Sequence, residues 1–111
     1  MDTKQAILGL TALAQTHRLE IFRLLVRQGS SGLSAGAIAK EIGIGATSAS
    51  FHLKELDRAG LIQSKRNGRF IEYAVYIEGI RSLLMFLTED CCQGREEICG
   101  KILTHSVEFC N

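Results

Sequence analysis

The 111 residues make one domain, large enough to bury a core yet small enough that a partner subunit could add materially to its stability. A composition that is 46% apolar, lacks proline and contains no run of 18 apolar residues excludes a disordered, low-complexity or membrane-spanning chain. The formal net charge of +1 is too small to argue nucleic-acid binding by itself, so the distribution of charge has to decide.

The start, MDTKQAILGL, carries an early acid and no cleavage-site pattern, which sets the expectation of a cytoplasmic protein without a membrane partner. Lys4 to Ala14 reads as a first helix with Ala6, Leu10, Leu13 and Ala14 on its apolar face; Ile7 and Leu8 are surplus to that face. Thr16 is placed to cap a second helix, roughly Arg18 to Gln28, in which Leu19, Phe22 and Leu25 share a face. Gly29-Ser30-Ser31-Gly32 breaks it. Ser34 can cap a short third helix running to about Ile42, and Gly43-Ile44-Gly45 makes a turn.

From Ala46 the pattern changes. Ala49, Leu53 and Leu56 fall at helical spacing on one face of a fourth helix, and Thr47, Ser48, Ser50, Phe51, His52 and Lys54 occupy the remainder. A strand follows Gly60. Asn67-Gly68 then supply the two positive-φ residues of a type I′ hairpin turn, and a second strand runs to Val75. Lys65, Arg66 and Arg69 surround that turn. A short helix, a glycine turn, a helix with a polar face and a hairpin with a cationic tip form the layout of a winged helix-turn-helix that docks on double-stranded DNA. The expected fold is mainly α with a small β-hairpin, in the order α-α-α-α-β-β-α. The helix-turn-helix falls at about 34–59 and the wing at 61–75.

Ile77 to about Cys92 reads as a fifth helix, in which Ile77, Ile80, Leu84 and Leu87 step by three, four and three. Such a seam packs either inside one subunit or against a second copy. A homodimer is preferred, because helix-turn-helix proteins usually pair two reading helices about 34–36 Å apart. Residues 77–92 are therefore assigned to dimerisation and 91–111 to a cysteine-bearing tail. Between Ala46 and Arg69 five cations stand against two acids, whereas from Glu89 onward five acids stand against two cations. The DNA face and the tail thus differ in sign.

On the fourth helix, Thr47, Ser48, Ser50 and His52 can exchange hydrogen bonds with bases or phosphates, and Phe51 either touches a thymine methyl or folds back onto the domain. Without an arginine or asparagine on that face, discrimination rests on these contacts and on DNA shape. Lys54 on the helix and Lys65, Arg66 and Arg69 on the hairpin suit phosphate or minor-groove contacts, each with a solvated surface charge as the alternative. Asn67 at the tip completes the DNA-binding set.

The stretches LTALAQTHRLEIFRLLV and LSAGAIAKEIGIGATSASFHLKELDRAGLIQSKRNGRFIEYAV resemble the ArsR family of bacterial metalloregulatory repressors, from about Leu10 to Ile80. The linked features are Ala-Leu-Ala, Arg-Leu, a Ser-x-x-x-Leu-Lys-x-Leu reading helix, Ala-Gly-Leu-Ile and the Asn-Gly-Arg wing. The resemblance implies a homodimer with its first and fifth helices at the interface, repressing an operon until an inducer binds. Family inducer sites occur in several places. The Cys-Val-Cys type on the third helix is absent, since Ser34-Ala35-Gly36-Ala37 stand there, and the zinc type needs a histidine that the fifth helix lacks. What remains is DCCQGREEIC, Asp90 to Cys99, similar to a subgroup that senses arsenite through a cysteine pair and a third cysteine.

The metal set is then Cys91, Cys92 and Cys99, with arsenite, As(III), or antimony, Sb(III), as inducer and no organic cofactor. Soft thiolates favour soft ions, and three sulfurs on one side suit an ion that keeps a lone pair on the other. Zinc would want four ligands, and Cys110 or His105 could supply one. Adjacent helical residues point about 100° apart, so closing the site should fray the helix near Cys91, with Gln93-Gly94 letting Cys99 swing back. Two alternatives stay open: a thiol-redox or persulfide-responsive repressor of the same fold, and a cytosolic thiol carrier for metalloid. Cys91 also suits a small buried apolar position. No enzyme is expected, since His17, His52 and His105 are scattered.

Overall fold

Asp2 starts the first helix. Its Oδ1 accepts the Gln5 N–H at 2.8 Å while Gln5 Oε1 accepts the Asp2 N–H at 3.0 Å, a reciprocal cap that satisfies two otherwise unpaired donors. The computed structural model describes residues 1–89; in it α1 spans Thr3–Leu13 and α2 spans Thr16–Gln28. Gln15 rather than Thr16 caps α2, its Oε1 accepting the Arg18 N–H at 2.9 Å. Next come β1 (Leu33–Ser34), α3 (Ala35–Ile42), α4 (Ala46–Arg58), β2 (Ile62–Asn67), β3 (Phe70–Val75) and α5 (Ile77–Thr88). Ser34 does cap α3, with Oγ accepting the Ala37 N–H at 3.2 Å. The fold is the mainly α winged helix-turn-helix expected, with one strand more. β1 pairs Leu33 with Tyr73 and Ser34 with Glu72, giving an antiparallel sheet in the order β1-β3-β2. Two residues are too few to carry an alternating pattern, so this strand left no signal in the sequence.

Ile21, Leu25, Ile38, Leu53, Leu56, Leu61 and Ile62 form the fully buried centre, joining α2, α3, α4 and β2. Ala49, Leu53 and Leu56 are the inward face of α4, as their spacing requires. α1, α2 and α5 are rotated from expectation. α1 buries Ala6, Gly9 and Ala12 instead of Leu10 and Ala14, because it meets α5 closely: a Cβ at Gly9 would lie 3.5 Å from Leu83 Cδ2. Ile7, Leu8 and Leu10 therefore stay outside. α2 buries Ile21, Leu24 and Leu25, holds Phe22 at the core margin and exposes Leu19. In α5, Leu83 is buried with Ile80 and Phe86 beside it, while Ile77, Met85 and Leu87 are exposed, so the expected seam is divided between two faces. The expected continuation of that helix to Cys92 lies outside the described residues.

The hairpin turn also differs. Asn67 pairs with Phe70, leaving Gly68 and Arg69 as the two-residue loop, and only Gly68 has a positive φ, +65°. Those signs match a type II′ turn instead of type I′, and they require glycine only at the first loop position. Asn67 is the last residue of β2, and its Nδ2 donates to Glu72 Oε1 at 3.2 Å. Among the described residues no helix is long and apolar enough to cross a membrane.

Candidate nucleic-acid interface

Because α4 buries one stripe, its opposite side must face solvent. Thr47, Phe51 and Lys54 follow one another at i, i+4 and i+7 on that side, with Ser48 and Ser50 flanking them, and all five are exposed. Phe51 is 57% exposed, so it projects outward and does not fold back. Arg58 extends the row by one turn, where it pairs with Glu55 at 3.2 Å. Gly45 precedes the helix without a side-chain cap, and the first turn carries no acid. The N–H groups there and the positive end of the helix dipole are thus open to an anion.

His52 is not part of this surface. It is 9% exposed, its Nδ1 lies 3.4 Å from Arg18 Nη1, and its ring sits 5.8 Å from that of His17. Ala49, His52, Leu53 and Leu56 stand at i, i+3, i+4 and i+7, the full core stripe of a helix, so the signal was in the sequence and the polarity of histidine masked it. Burial, then the charges of Arg18 and His17, hold the His52 pKa below its ordinary value of 6.5.

On the wing, Lys65, Arg66 and Arg69 are all exposed. Alternation places Lys65, Asn67, Phe70 and Glu72 on one face of the hairpin and Arg66 and Ile71 on the other. Lys65 lies directly across from Glu72, and Asn67 is engaged by the same carboxylate. The carboxylate holds Asn67 in the hairpin. Phe70 was not among the expected contacts, yet at 68% exposure it is the barest large apolar side chain among the described residues. A phenylalanine directly after a cationic turn was its available signal. No three His, Cys, Asp or Glu among the described residues are grouped to hold a metal ion. Cys91, Cys92 and Cys99 lie outside the described residues.

Residues 13–64 match the family profile of a helix-turn-helix domain. The chain is 33% identical over 91 residues to the HTH-type transcriptional regulator YgaV of Escherichia coli (strain K12), covering 82% of this chain and 90% of that protein. It is 30% identical to the homodimeric winged helix-turn-helix DNA-binding domain of Mb0332 from Mycobacterium bovis, a possible ArsR-family transcriptional regulator. That match has a TM-score of 0.64 and covers 78% of this chain and 81% of that one. The chain belongs to the ArsR family of transcriptional regulators. An ArsR-like transcriptional regulator from Rhodococcus sp. RHA1 shares the fold at a TM-score of 0.70 and 22% identity, over 91% of this chain and 92% of that one. Family membership makes this ArsR-family regulator a DNA-binding protein and sets aside a thiol carrier that never touches DNA.

Proposed function

We propose that this regulator is a repressor that leaves its operator when trivalent arsenic, or antimony, is held by Cys91, Cys92 and Cys99. The observation that carries the reading is three thiols within nine residues immediately beyond α5. The exposed row of α4, with Thr47, Ser48, Ser50, Phe51 and Lys54, enters the major groove. Lys65, Arg66, Arg69 and Phe70 bring the wing against the backbone and minor groove, with Asn67 bracing it.

A second copy covers the apolar residues left outside on α1 and α5. Ile7 and Leu8 on α1 and Met85 and Leu87 on α5 are about half exposed. Met1, beside α1, shares one shallow cleft with Ser82 and Met85 of α5, so the two surfaces adjoin. The homodimeric state of the Mycobacterium bovis neighbour supports this arrangement. Closing the thiol site then reshapes the end of α5 and with it the spacing of the two reading helices. By linkage, operator DNA weakens inducer binding by the same factor that inducer weakens DNA binding.

The test is operator binding by fluorescence anisotropy with the reduced protein. Arsenite should release the DNA by about tenfold or more, within the usual range of coupling. Serine at Cys91, Cys92 or Cys99 should leave DNA binding intact and remove the response. Release by an oxidant or persulfide but not by arsenite would assign the same fold to thiol-redox sensing.

A further inference from the structure

Arg18 joins three helices. Its backbone N–H is taken by Gln15, and its guanidinium turns the other way. Nε donates to the Ala12 carbonyl oxygen at 2.8 Å, in the last turn of α1, where that oxygen has no partner within its own helix. Nη1 of the same group approaches His52 Nδ1 at 3.4 Å, on the inward flank of α4. Guanidinium is only ever a donor, so this contact requires a lone pair on Nδ1, which fixes His52 as the neutral tautomer with its proton on Nε2. A protonated His52 would have no acceptor to offer and would set a second cation against Arg18.

We propose that Arg18 and His52 are positioning residues for DNA binding: one guanidinium ties the C-terminal end of α1 to the inward side of the reading helix, and only an uncharged His52 accepts the tie. The proposal rests on α4 being the reading helix. α1 carries part of the apolar surface assigned above to a second copy, so the tie also connects that surface to the orientation of α4. The charged or titratable groups acting on His52 are Arg18 and His17, both on α2; the charged residues of α1, α3 and β2, which also pack on α4, are not among the groups that shift it. Affinity for DNA should therefore fall on acidification once the pH reaches the range, below 6.5, in which folded His52 takes up a proton, independently of any inducer.

The experiment uses the full chain, reduced, and a fluorescein-labelled duplex that the unaltered protein selects from a random library. Failure to select any duplex would sink the reading of α4 and leave the tie aside as a cause. With a selected duplex, affinity of the unaltered protein should drop at least about fivefold as the pH is lowered from 7.5 through the range in which NMR shows His52 taking up its proton. His52→Gln keeps an acceptor for Arg18 and cannot titrate, so it should bind near normally at pH 7.5 and lose that pH dependence, whereas His17→Gln should keep it. Arg18→Gln should weaken binding roughly tenfold at pH 7.5, the scale of one hydrogen bond from a charged donor, with the dimer intact by sedimentation. Identical pH profiles for the unaltered protein and His52→Gln overturn the proposal. So does an imidazole nitrogen NMR spectrum of the unaltered protein showing His52 protonated on Nδ1 at pH 7.5, a measurement that needs no variant to fold.

Discussion

Gly79, in the first turn of α5, lies so close against Gly60 that a Cβ on Gly79 would overlap the Gly60 carbonyl oxygen. The neighbouring Tyr76 N–H donates to the Leu61 carbonyl at 3.0 Å, so the start of α5 is fastened to the segment that joins the reading helix to the wing. The contact between α5 and that segment is thus made through backbone, with no long side chain between them. Gly79→Ala should cost about 1–3 kcal/mol, as overpacking does, and lower the thermal midpoint. Gly9→Ala gives the opposite sign. There the added Cβ meets Leu83 and Leu61 at ordinary contact distances, and the gain in helix propensity is about 0.5–1 kcal/mol. Thermal unfolding of the two variants side by side checks both signs.

The exposed row of α4 and the wing should separate in a salt titration. Arg69→Ala should weaken binding to all duplexes alike and lower the slope of log affinity against log salt by about one. Phe51→Ala should instead change the ranking of duplexes that differ in thymine content, by about 1–3 kcal/mol at an affected base pair. If the salt slope of Arg69→Ala matches that of the unaltered protein, Arg69 makes no phosphate contact.

Ile7→Glu on α1 or Met85→Glu on α5 should produce a folded monomer by sedimentation, because each places a charge in the apolar surface proposed to be covered by a second copy. Operator affinity should fall with it, since one reading helix alone covers half a site. Glu at Leu19, exposed on α2 and not among the residues assigned to that surface, is the matched control and should remain dimeric.

Stability should fall on acidification in a definite window. The His52 pKa is lowered in the folded state by burial, then by Arg18 and His17, so between that value and the ordinary 6.5 the unfolded chain binds more protons. The contribution of a neutral His52 is thus complete above pH 6.5 and is eroded below it, levelling off once the folded-state group also titrates. Urea unfolding of the unaltered protein and His52→Gln, at pH 7.5 and 5.5, should show a larger acid loss for the former.

The type of each helix, the hairpin and the inward stripe of α4 were legible because short-range periodicity and glycine placement encode them. Ala49, Leu53 and Leu56 repeat at helical spacing, and Gly68 follows a cationic strand. The rotations of α1 and α5 were not legible. Two helices that both carry apolar residues all round can meet through several faces, and only their packing sets Gly9 against the Leu83 side chain. The same holds for Asn67. Its identity suggested a turn residue, but the register that pairs it with Phe70 is set by the sheet.

What the sequence by itself determined was a helix-turn-helix with a basic wing and a thiol-rich segment after α5, since spacing, charge and thiol chemistry are local properties of the chain. What the tertiary structure added was which residues of α4 stand in solvent and which turn to the core. Phe51 projects outward and His52, one position later, turns inward to Arg18, because a helix advances about 100° per residue and the core claims one side of it.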